Sequence, residues 1–134
     1  MSFKAKLSLG GKEFDILHCD YAFNRDVDAK GRPSSGIYGG IVNIEVESTV
    51  DTSILESMVN NIYKAQKGTI TFQKRDEDAK MKELTFEDAY IVKYKEELEI
   101  VGENPMTISF TVSARSLKIG NAEHVNDWPD FVIK

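Results

Sequence analysis

The sequence predicts a single, mainly antiparallel β domain with one α-helix. The clearest sign is residues 106–115, where apolar residues alternate without a break with hydroxylated or basic ones. Only a β-strand places residues of period two on opposite faces. A second sign is residues 53–63, where apolar residues recur at spacings of three and four, as in an amphipathic helix. A chain of 134 residues fits one domain, residues 1–134.

Composition and charge limit the possible partners. The chain is 41% hydrophobic and 29% charged, with a formal net charge of -5. An acidic chain does not attract the phosphate backbone, so no nucleic-acid partner is expected. No run approaches the ~20 apolar residues of a spanning helix, so membrane insertion is not expected. The first residues alternate charged and apolar side chains, and a secretory signal sequence is therefore not predicted either.

The first elements form a predicted hairpin followed by a long loop. Residues 3–9 alternate in polarity, and Gly10-Gly11 supplies the positive φ angles of a tight turn. The return strand covers residues 12–19 and continues towards residue 23. Residues 24–36, NRDVDAKGRPSSG, contain no large apolar side chain, so an exposed loop is predicted there. Loops of this length in compact domains are often functional.

The next stretch predicts a strand and the helix. A strand begins at residue 37, and the Gly39-Gly40 pair within it indicates a bulge or a close backbone approach. The helix is predicted at about residues 53–63. Ser53 and Glu56 fit a capping box, with Thr52 or Asp51 as competing N-caps. The stripe expected to pack on the sheet is Ile54, Leu55, Met58, Val59 and Ile62.

Three further strands are predicted after the helix. Residues 69–74 form the first, and a long strand follows whose inward face is expected to be Leu84, Phe86, Tyr90, Val92 and Tyr94. Ala89 and Ile91 disturb its alternation, which indicates a bend. A turn is predicted at residues 102–105, before the strand from residue 106 to about 120. Residues 120–134 are expected to be a polar tail with some exposed apolar groups.

Catalytic chemistry has little support. His18 and Cys19 are neighbours on a strand, so their side chains point to opposite faces and cannot form a nucleophile–base pair. Cys19 is the single cysteine, so no intramolecular disulfide is possible. Two scattered histidines do not match the spacing of a zinc site. The carboxylates Glu45 and Glu47 share a strand face, but a solvated acidic face is the simpler interpretation. We therefore predict no catalytic residue, no cofactor and no metal.

From the residues alone, two functions remain open. A β domain must close its sheet into a barrel or pair its edge strands with another chain. Self-assembly and small-ligand binding inside a barrel are equally compatible with the pattern.

A family resemblance decides between them. The stretches that carry it are LHCDYAFNRDVDAKGRPSSGIYGGIVNIEVEST at residues 17–49, KMKELTFEDAYIVKY at residues 80–94 and NPMTISFTVSARSLKIGNAEHVNDWP at residues 104–129. With the matching order of elements between them, the chain resembles the Hcp family, also called TssD, and in particular its divergent short acidic branch. This family provides the tube protein of the bacterial type VI secretion system.

The resemblance implies a compact barrel of two packed antiparallel β-sheets with one flanking helix, similar to phage tail-tube proteins. It implies a structural subunit and not an enzyme. Subunits are expected to form homohexameric rings that stack into a hollow tube. The expected partners are other copies of the chain, the contractile sheath, the spike and baseplate proteins, and secreted effectors. The protein is expected to assemble in the cytoplasm and to leave through the type VI machine without a signal peptide.

Two groups of residues become candidate assembly sites under this resemblance. The loop at residues 24–36 is expected to contact the next ring through Arg25, Asp26, Asp28, Lys30 and Arg32. The polar strand face is expected to line the lumen or meet a neighbouring subunit through Thr107, Ser109, Thr111 and Ser113. The alternatives are a tail-tube subunit of another contractile injection device and a stand-alone β-barrel that binds a small ligand.

Overall fold

Six antiparallel strands close into a barrel, and a seventh strand and one helix lie against it. The structure is a computed structural model that describes residues 3–60, 65–74, 80–101 and 106–126. Within these residues the elements are β1 (Phe3–Leu9), β2 (Lys12–Tyr21), β3 (Ile41–Glu47), α1 (Ser53–Val59), β4 (Gln66–Lys74), β5 (Lys80–Leu98), β6 (Met106–Ile119) and β7 (Ala122–Val125).

Strand β6 closes the barrel. The strands follow the order β3-β2-β1-β4-β5-β6, and β6 then pairs back with β3. The closing register runs from Ile41 opposite Ser113 to Glu47 opposite Thr107. On the opposite edge, β6 pairs with β5 over almost the whole length of β6. On the edge that pairs with β3, the later residues of β6 pair with β7 instead. The predicted mainly β barrel with one helix is confirmed, and the two expected sheets are joined into one continuous sheet.

The core fills the interior of the barrel. On β6 the side chains of Ile108, Phe110, Val112 and Ala114 are buried, while the alternating polar residues point outwards. Phe86 and Phe110 are the largest fully buried side chains of the described residues. The period-two pattern thus divides one strand between an apolar interior and a polar exterior, as predicted.

The β1–β2 hairpin has the predicted turn. Gly10 has φ 61° and Gly11 has φ 82°, and Leu9 pairs with Lys12 across them. Both angles lie in the left-handed region that a two-residue type I′ turn requires, and glycine adopts this region without steric cost.

Strand β5 turns different residues inwards from those predicted. Ala89 and Ile91 are buried, whereas Val92 is more than half exposed and Tyr90 is half-buried. The cause is local, because Asp88 has φ 52° and the pairing with β6 shifts register between Ile91 and Lys93. Each irregularity moves the following residues to the opposite face. The disturbed alternation did indicate a bend, but the assignment of Val92 to the core was wrong.

The helix is shorter than predicted within the described residues. It covers Ser53–Val59, and residues 61–63 of the predicted helix lie outside the described residues. Thr52, one of the two competing N-caps, occupies the N-cap position, and Ser53 is the first helical residue, so the predicted capping box of Ser53 and Glu56 is absent. The Thr52 hydroxyl instead donates to Glu56 at 2.5 Å. Ile54 is buried, but Val59 is 57% exposed, so its predicted packing on the sheet was wrong.

The predicted tail contains a strand. Ala122–Val125 forms β7 on the edge of β6, although its sequence is mostly polar. Residues 127–134 and the predicted turn at residues 102–105 lie outside the described residues. Strand β3 begins at Ile41 and not at residue 37. Among the described residues, no helix has the length and apolar character needed to cross a membrane.

Helix packing can be tested with two substitutions on α1. Ile54→Ala should lower the free energy of unfolding by about 2–5 kcal/mol, because it deletes buried carbon atoms and leaves a cavity. Val59→Ala is the matched control and should change it by less than about 0.5 kcal/mol, since its side chain is mostly in water. Urea denaturation followed by circular dichroism measures both. Equal costs for the two variants would contradict this placement of the helix.

Candidate functional site

A long connection between β2 and β3, residues 22–40, forms a folded arm. Two isolated β-bridges, Asn24 with Tyr38 and Val27 with Pro33, hold its two sides together. The amide of Asn24 donates to the carbonyl of Tyr38 at 3.0 Å, and the reverse bond measures 2.6 Å. Most of its residues are exposed. The arm is therefore a narrow extension of the β2–β3 hairpin with a defined shape.

Asp28 organises the turn of the arm. Its Oδ1 accepts hydrogen bonds from the amides of Lys30 at 2.9 Å and Arg32 at 3.0 Å. Its Oδ2 accepts from Nε of Arg32 at 3.0 Å. These donors, with the Arg32 amide first and the Lys30 amide second, lower the pKa of Asp28. Because the pKa of Asp28 is lower in the folded arm, these hydrogen bonds stabilise the folded arm at neutral pH. This stabilisation is lost as the pH falls through the pKa of Asp28 in the folded state.

The remaining charges of the arm have different tasks. Asp26 accepts a hydrogen bond from the hydroxyl of Tyr38 at 2.9 Å, which joins the two sides of the arm. Asp26, Asp28 and Arg32 are thus engaged inside the arm. The side chains of Arg25 and Lys30 make no hydrogen bond or ion pair with the described part of the chain. Of the candidate stacking residues, these two cations are available to another molecule.

The root of the arm is fixed to the barrel by the residues around β7. Gly40 has φ 98°, and its carbonyl accepts from the amide of Ala114 at 2.7 Å. The Nδ2 of Asn126 donates to the carbonyls of Gly39 at 2.9 Å and Ala114 at 3.2 Å. The predicted close approach at Gly39-Gly40 is confirmed, because a Cβ on Gly40 would meet the Ala114 carbonyl oxygen. Sequence reasoning missed Asn126, since nothing in a polar tail marks it as an anchor.

The outward side chains of β6 belong to a polar face that spans several strands. Ser109 Oγ donates to Glu45 on β3 at 3.2 Å. Thr111 donates to Asn43 at 2.8 Å, and Asn43 donates to Asp20 on β2 at 2.9 Å. The structure brings the predicted hydroxyls together with acceptors that the sequence did not identify. We call this surface the polar face; its β6 residues are Thr107, Ser109, Thr111 and Ser113.

Strand β5 supplies the basic side of the polar face. Lys95 lies opposite Ser109 and Lys93 opposite Thr111 in the β5–β6 register. A shallow cavity of about 310 Å³ lies over these residues and reaches His18 and Glu45. The face therefore carries Asp20 and Glu45 at its β2 and β3 side and Lys93 and Lys95 at its β5 side, where Lys95 also pairs with Glu97 at 3.1 Å.

Two strand edges flank the polar face without a strand partner among the described residues. Strand β1 pairs with β2 only from Lys12 to Asp15, so the following half of β2 is bound on its β3 side alone. Strand β4 pairs with β5 only as far as Ala89, so the half of β5 that ends at Leu98 is bound on its β6 side alone. Unpaired edges of this kind are templates for pairing with another chain.

His18 and Cys19 lie on opposite faces, as predicted. His18 Nε2 is 3.1 Å from Asp20 Oδ2 at the surface. The hydrogen bond from Asn43, followed by the one with His18, lowers the pKa of Asp20. Burial, and then the charge of Asp20, raises the pKa of Cys19 to about 11. A thiol with this pKa is a poor nucleophile at neutral pH. No group of three or more possible metal ligands occurs within the described ranges.

The role of Asp28 in the arm can be tested by amide hydrogen exchange. Asp28→Asn should accelerate exchange of the Lys30 and Arg32 amides, because a neutral amide oxygen is a weaker acceptor than a carboxylate. Asp26→Asn is the control, since its carboxylate binds the Tyr38 hydroxyl and no amide in this turn. In the unsubstituted protein, protection of this turn should fall as the pH drops below the usual range of Asp. Unchanged exchange in Asp28→Asn would show that the turn does not depend on this carboxylate.

Comparison with known proteins identifies the family. The family "Hemolysin coregulated protein Hcp (TssD)" matches residues 1–129. Hcp1 from Flavobacterium johnsoniae has 42% sequence identity and a TM-score of 0.88, over 92% of this chain and 99% of that chain. Hcp1 from Salmonella typhimurium shares the fold at 11% identity and a TM-score of 0.73, over 89% of this chain and 86% of that chain.

Secreted protein Hcp3 from Pseudomonas aeruginosa is a more distant match in fold, with 12% identity, a TM-score of 0.59 and coverage of 96% and 100% of the two chains. No curated protein matches the chain significantly. The resemblance noted in the sequence is confirmed by the family match and by the Flavobacterium structure. With its barrel, its arm and its polar face, this chain belongs to the Hcp (TssD) family of type VI secretion tube proteins.

Proposed function

We propose that this chain forms hexameric rings that stack into the inner tube of a type VI secretion system and carry effectors. The observation that carries the proposal is the polar face with an unpaired strand edge on each side. A barrel with two such edges can join identical copies head to tail, and head-to-tail contacts close into a ring when the rotation between neighbouring copies divides a full turn. When the edges of two copies pair, they satisfy the backbone N–H and C=O groups that each edge leaves unpaired in a single subunit.

The ring contact joins the edge of β5 in one subunit to the edge of β2 in the next. Successive strands of the polar face, β2, β3, β6 and β5, are antiparallel, so this junction is antiparallel as well. It brings Lys93 of one subunit beside Asp20 of the next, since these residues end the same cross-strand row. Opposite charges on neighbouring strands stabilise such a pairing.

The polar face lines the lumen in this arrangement. Its β6 residues Thr107, Ser109, Thr111 and Ser113 present hydroxyl groups that keep the inner wall wetted. The arm at residues 22–40 extends from the same hairpin and reaches the next ring. Mixed charges at such a contact set the register between rings.

Family membership supports the remaining parts of the proposal. The tube works with a contractile sheath, a spike and baseplate proteins, and it delivers effectors. Assembly takes place in the cytoplasm, and export through the machine uses no signal peptide. No enzymatic step is proposed for the chain.

The two alternative functions differ in what they require. A ligand-binding barrel requires an apolar internal cavity, but large buried side chains such as Phe86 and Phe110 fill the described interior. This packing favours the tube subunit. A tail tube of another injection device shares the fold, and the family match favours the type VI system.

Ring formation can be tested through the charge pair at the junction. The protein should elute as a hexamer, with interfaces above roughly 1,000 Å². Asp20→Lys should shift dissociation to higher protein concentration, because it places two cations together, and adding Lys93→Asp should restore the ring. Size exclusion with light scattering over a dilution series measures this. Lys82→Glu, on the far part of β5, is the control. A monomer at every accessible concentration would favour the ligand-binding barrel.

The stacking role of the arm can be tested by replacing it. Exchanging residues 27–34 for a short Gly-Ser linker should leave the barrel and the hexamer intact but abolish tubes and secretion. Exposed ion pairs contribute only about 0–1 kcal/mol each, yet a ring repeats every contact around its circumference. Electron microscopy and a secretion assay give the two readouts. If the linker variant builds tubes and supports secretion, the arm is only a solvated loop.

A further inference from the structure

A second exposed surface lies at the end of β3 opposite the arm. We call it the tip; it consists of residues 48–50, residues 96–101 and Met106. Its parts are joined by the amide of Ser48, which donates to the Met106 carbonyl at 3.0 Å, and by the pairing of Leu98 with Met106. The Ser48 hydroxyl also donates to Glu96. The tip is therefore a single surface whose three parts are joined at Met106.

The segments of the tip expose several apolar side chains. Ile100 is 86% exposed and Val101 is 82% exposed, and Val50 and Leu98 are also exposed. Single exposed apolar residues are common on protein surfaces, but several at one end of a domain are typical of an interaction site. The described part of the chain does not cover them.

The tip is acidic, whereas the arm offers cations. Residues 96–101 contain Glu96, Glu97 and Glu99 and no basic residue. Glu97 pairs with Lys95 at 3.1 Å at the surface, and Glu99 has no ion pair with the described residues. The arm presents Arg25 and Lys30, and it also exposes apolar Val27. The acidic residues of the arm, Asp26 and Asp28, are engaged within the arm, so the charges that it offers outwards are positive. Residues 96–101 of the tip carry acidic charges only.

The positions of the two surfaces suit contact between stacked rings. The arm adjoins Ile41 at the start of β3, and the tip adjoins Glu47 at its end. A strand rises about 3.3 Å per residue, so the two surfaces lie roughly 20 Å apart along the barrel. In a head-to-tail stack, the arm of one ring therefore faces the tip of the next.

We infer that the tip is the surface that receives the arm of the next ring. This inference rests on the proposed stacking and adds the partner surface to it. Ile100 and Val101 are covered by the arm of the second copy, around Val27. The carboxylate of Glu99 faces Arg25 and Lys30. Apolar burial supplies the affinity, and the complementary charges supply the polarity of the stack.

A charge swap between the two surfaces tests this pairing. The arm variant carries Arg25→Glu and Lys30→Glu, and the tip variant carries Glu99→Lys, which lies beyond the end of β5 and outside the proposed ring contact. Each alone should form rings of normal mass but no longer species, because like charges meet at every ring-to-ring contact. An equal mixture of the two should stack, since each arm then meets a tip of opposite charge. One chain with all substitutions should also stack.

Light scattering checks the rings, and sedimentation with electron microscopy detects the stacks. If the tip variant stacks like the unsubstituted protein while the arm variant does not, the arm binds elsewhere and the inference is wrong. If the arm variant also stacks, the proposed role of the arm fails instead. If tip variants stack but lose secretion, the tip meets another component of the machine, and the inference is again wrong.

Cysteine cross-linking decides the case in which purified rings do not stack or a charge variant fails to form rings. Val27→Cys combined with Ile100→Cys, in a Cys19→Ala background, should link subunits of successive rings under oxidation in secreting cells. Val27→Cys alone, and Val27→Cys with Leu17→Cys, are the controls. Links that depend on the cysteine at position 100 support the inference. Equal linking to position 17, or no link where tubes form, would overturn it.

Discussion

The pairing of β6 with β3 is the constraint on which the rest of the structure depends. A strand at the edge of a sheet leaves backbone N–H and C=O groups unpaired, and this pairing removes the edges that β3 and the first half of β6 would otherwise expose. It also decides where edges remain. The partly paired halves of β2 and β5 end up on either side of the β3–β6 seam. The strand pairs that close the barrel therefore also place the two surfaces through which copies are proposed to join.

The same seam relates core packing to the polar face. Phe110 fills the interior, while its neighbours Ser109 and Thr111 bind Glu45 and Asn43 outside. A one-residue slip of β6 against β3 would place hydroxyls in the core and apolar groups on the polar face. The register is thus fixed from both sides of the sheet, by burial inside and by hydrogen bonds outside.

The sequence predicted the features that depend on local pattern. The alternation in β6, the Gly10-Gly11 turn and the presence of one helix are local, and the structure contains all three. The assignments of Val92 and Val59 failed because register shifts in β5 and the orientation of α1 are set by tertiary packing. The helix contributes Ile54 to the core and leaves Val59 in water, and periodicity alone does not separate these two positions.

The sequence predicted where the candidate site lies but not how its charged residues interact. Charge alone gave five equivalent residues in the loop, whereas the structure divides them. Asp28 and Arg32 form a hydrogen bond with each other within the turn, and the Asp26 carboxylate accepts a hydrogen bond from the Tyr38 hydroxyl.

This division matters for assembly, because a preformed arm loses less conformational entropy on binding than a flexible loop does. The hydrogen bonds at the root of the arm also contribute to its preformed shape. Asn126 binds the Gly39 and Ala114 carbonyls, so the arm is fixed to β6, the strand that closes the barrel. In the proposed stack, a force on the arm from a neighbouring ring is carried by the closed sheet and not by a loop. A stiff path between successive rings is the physical requirement that the proposed stacking has to meet.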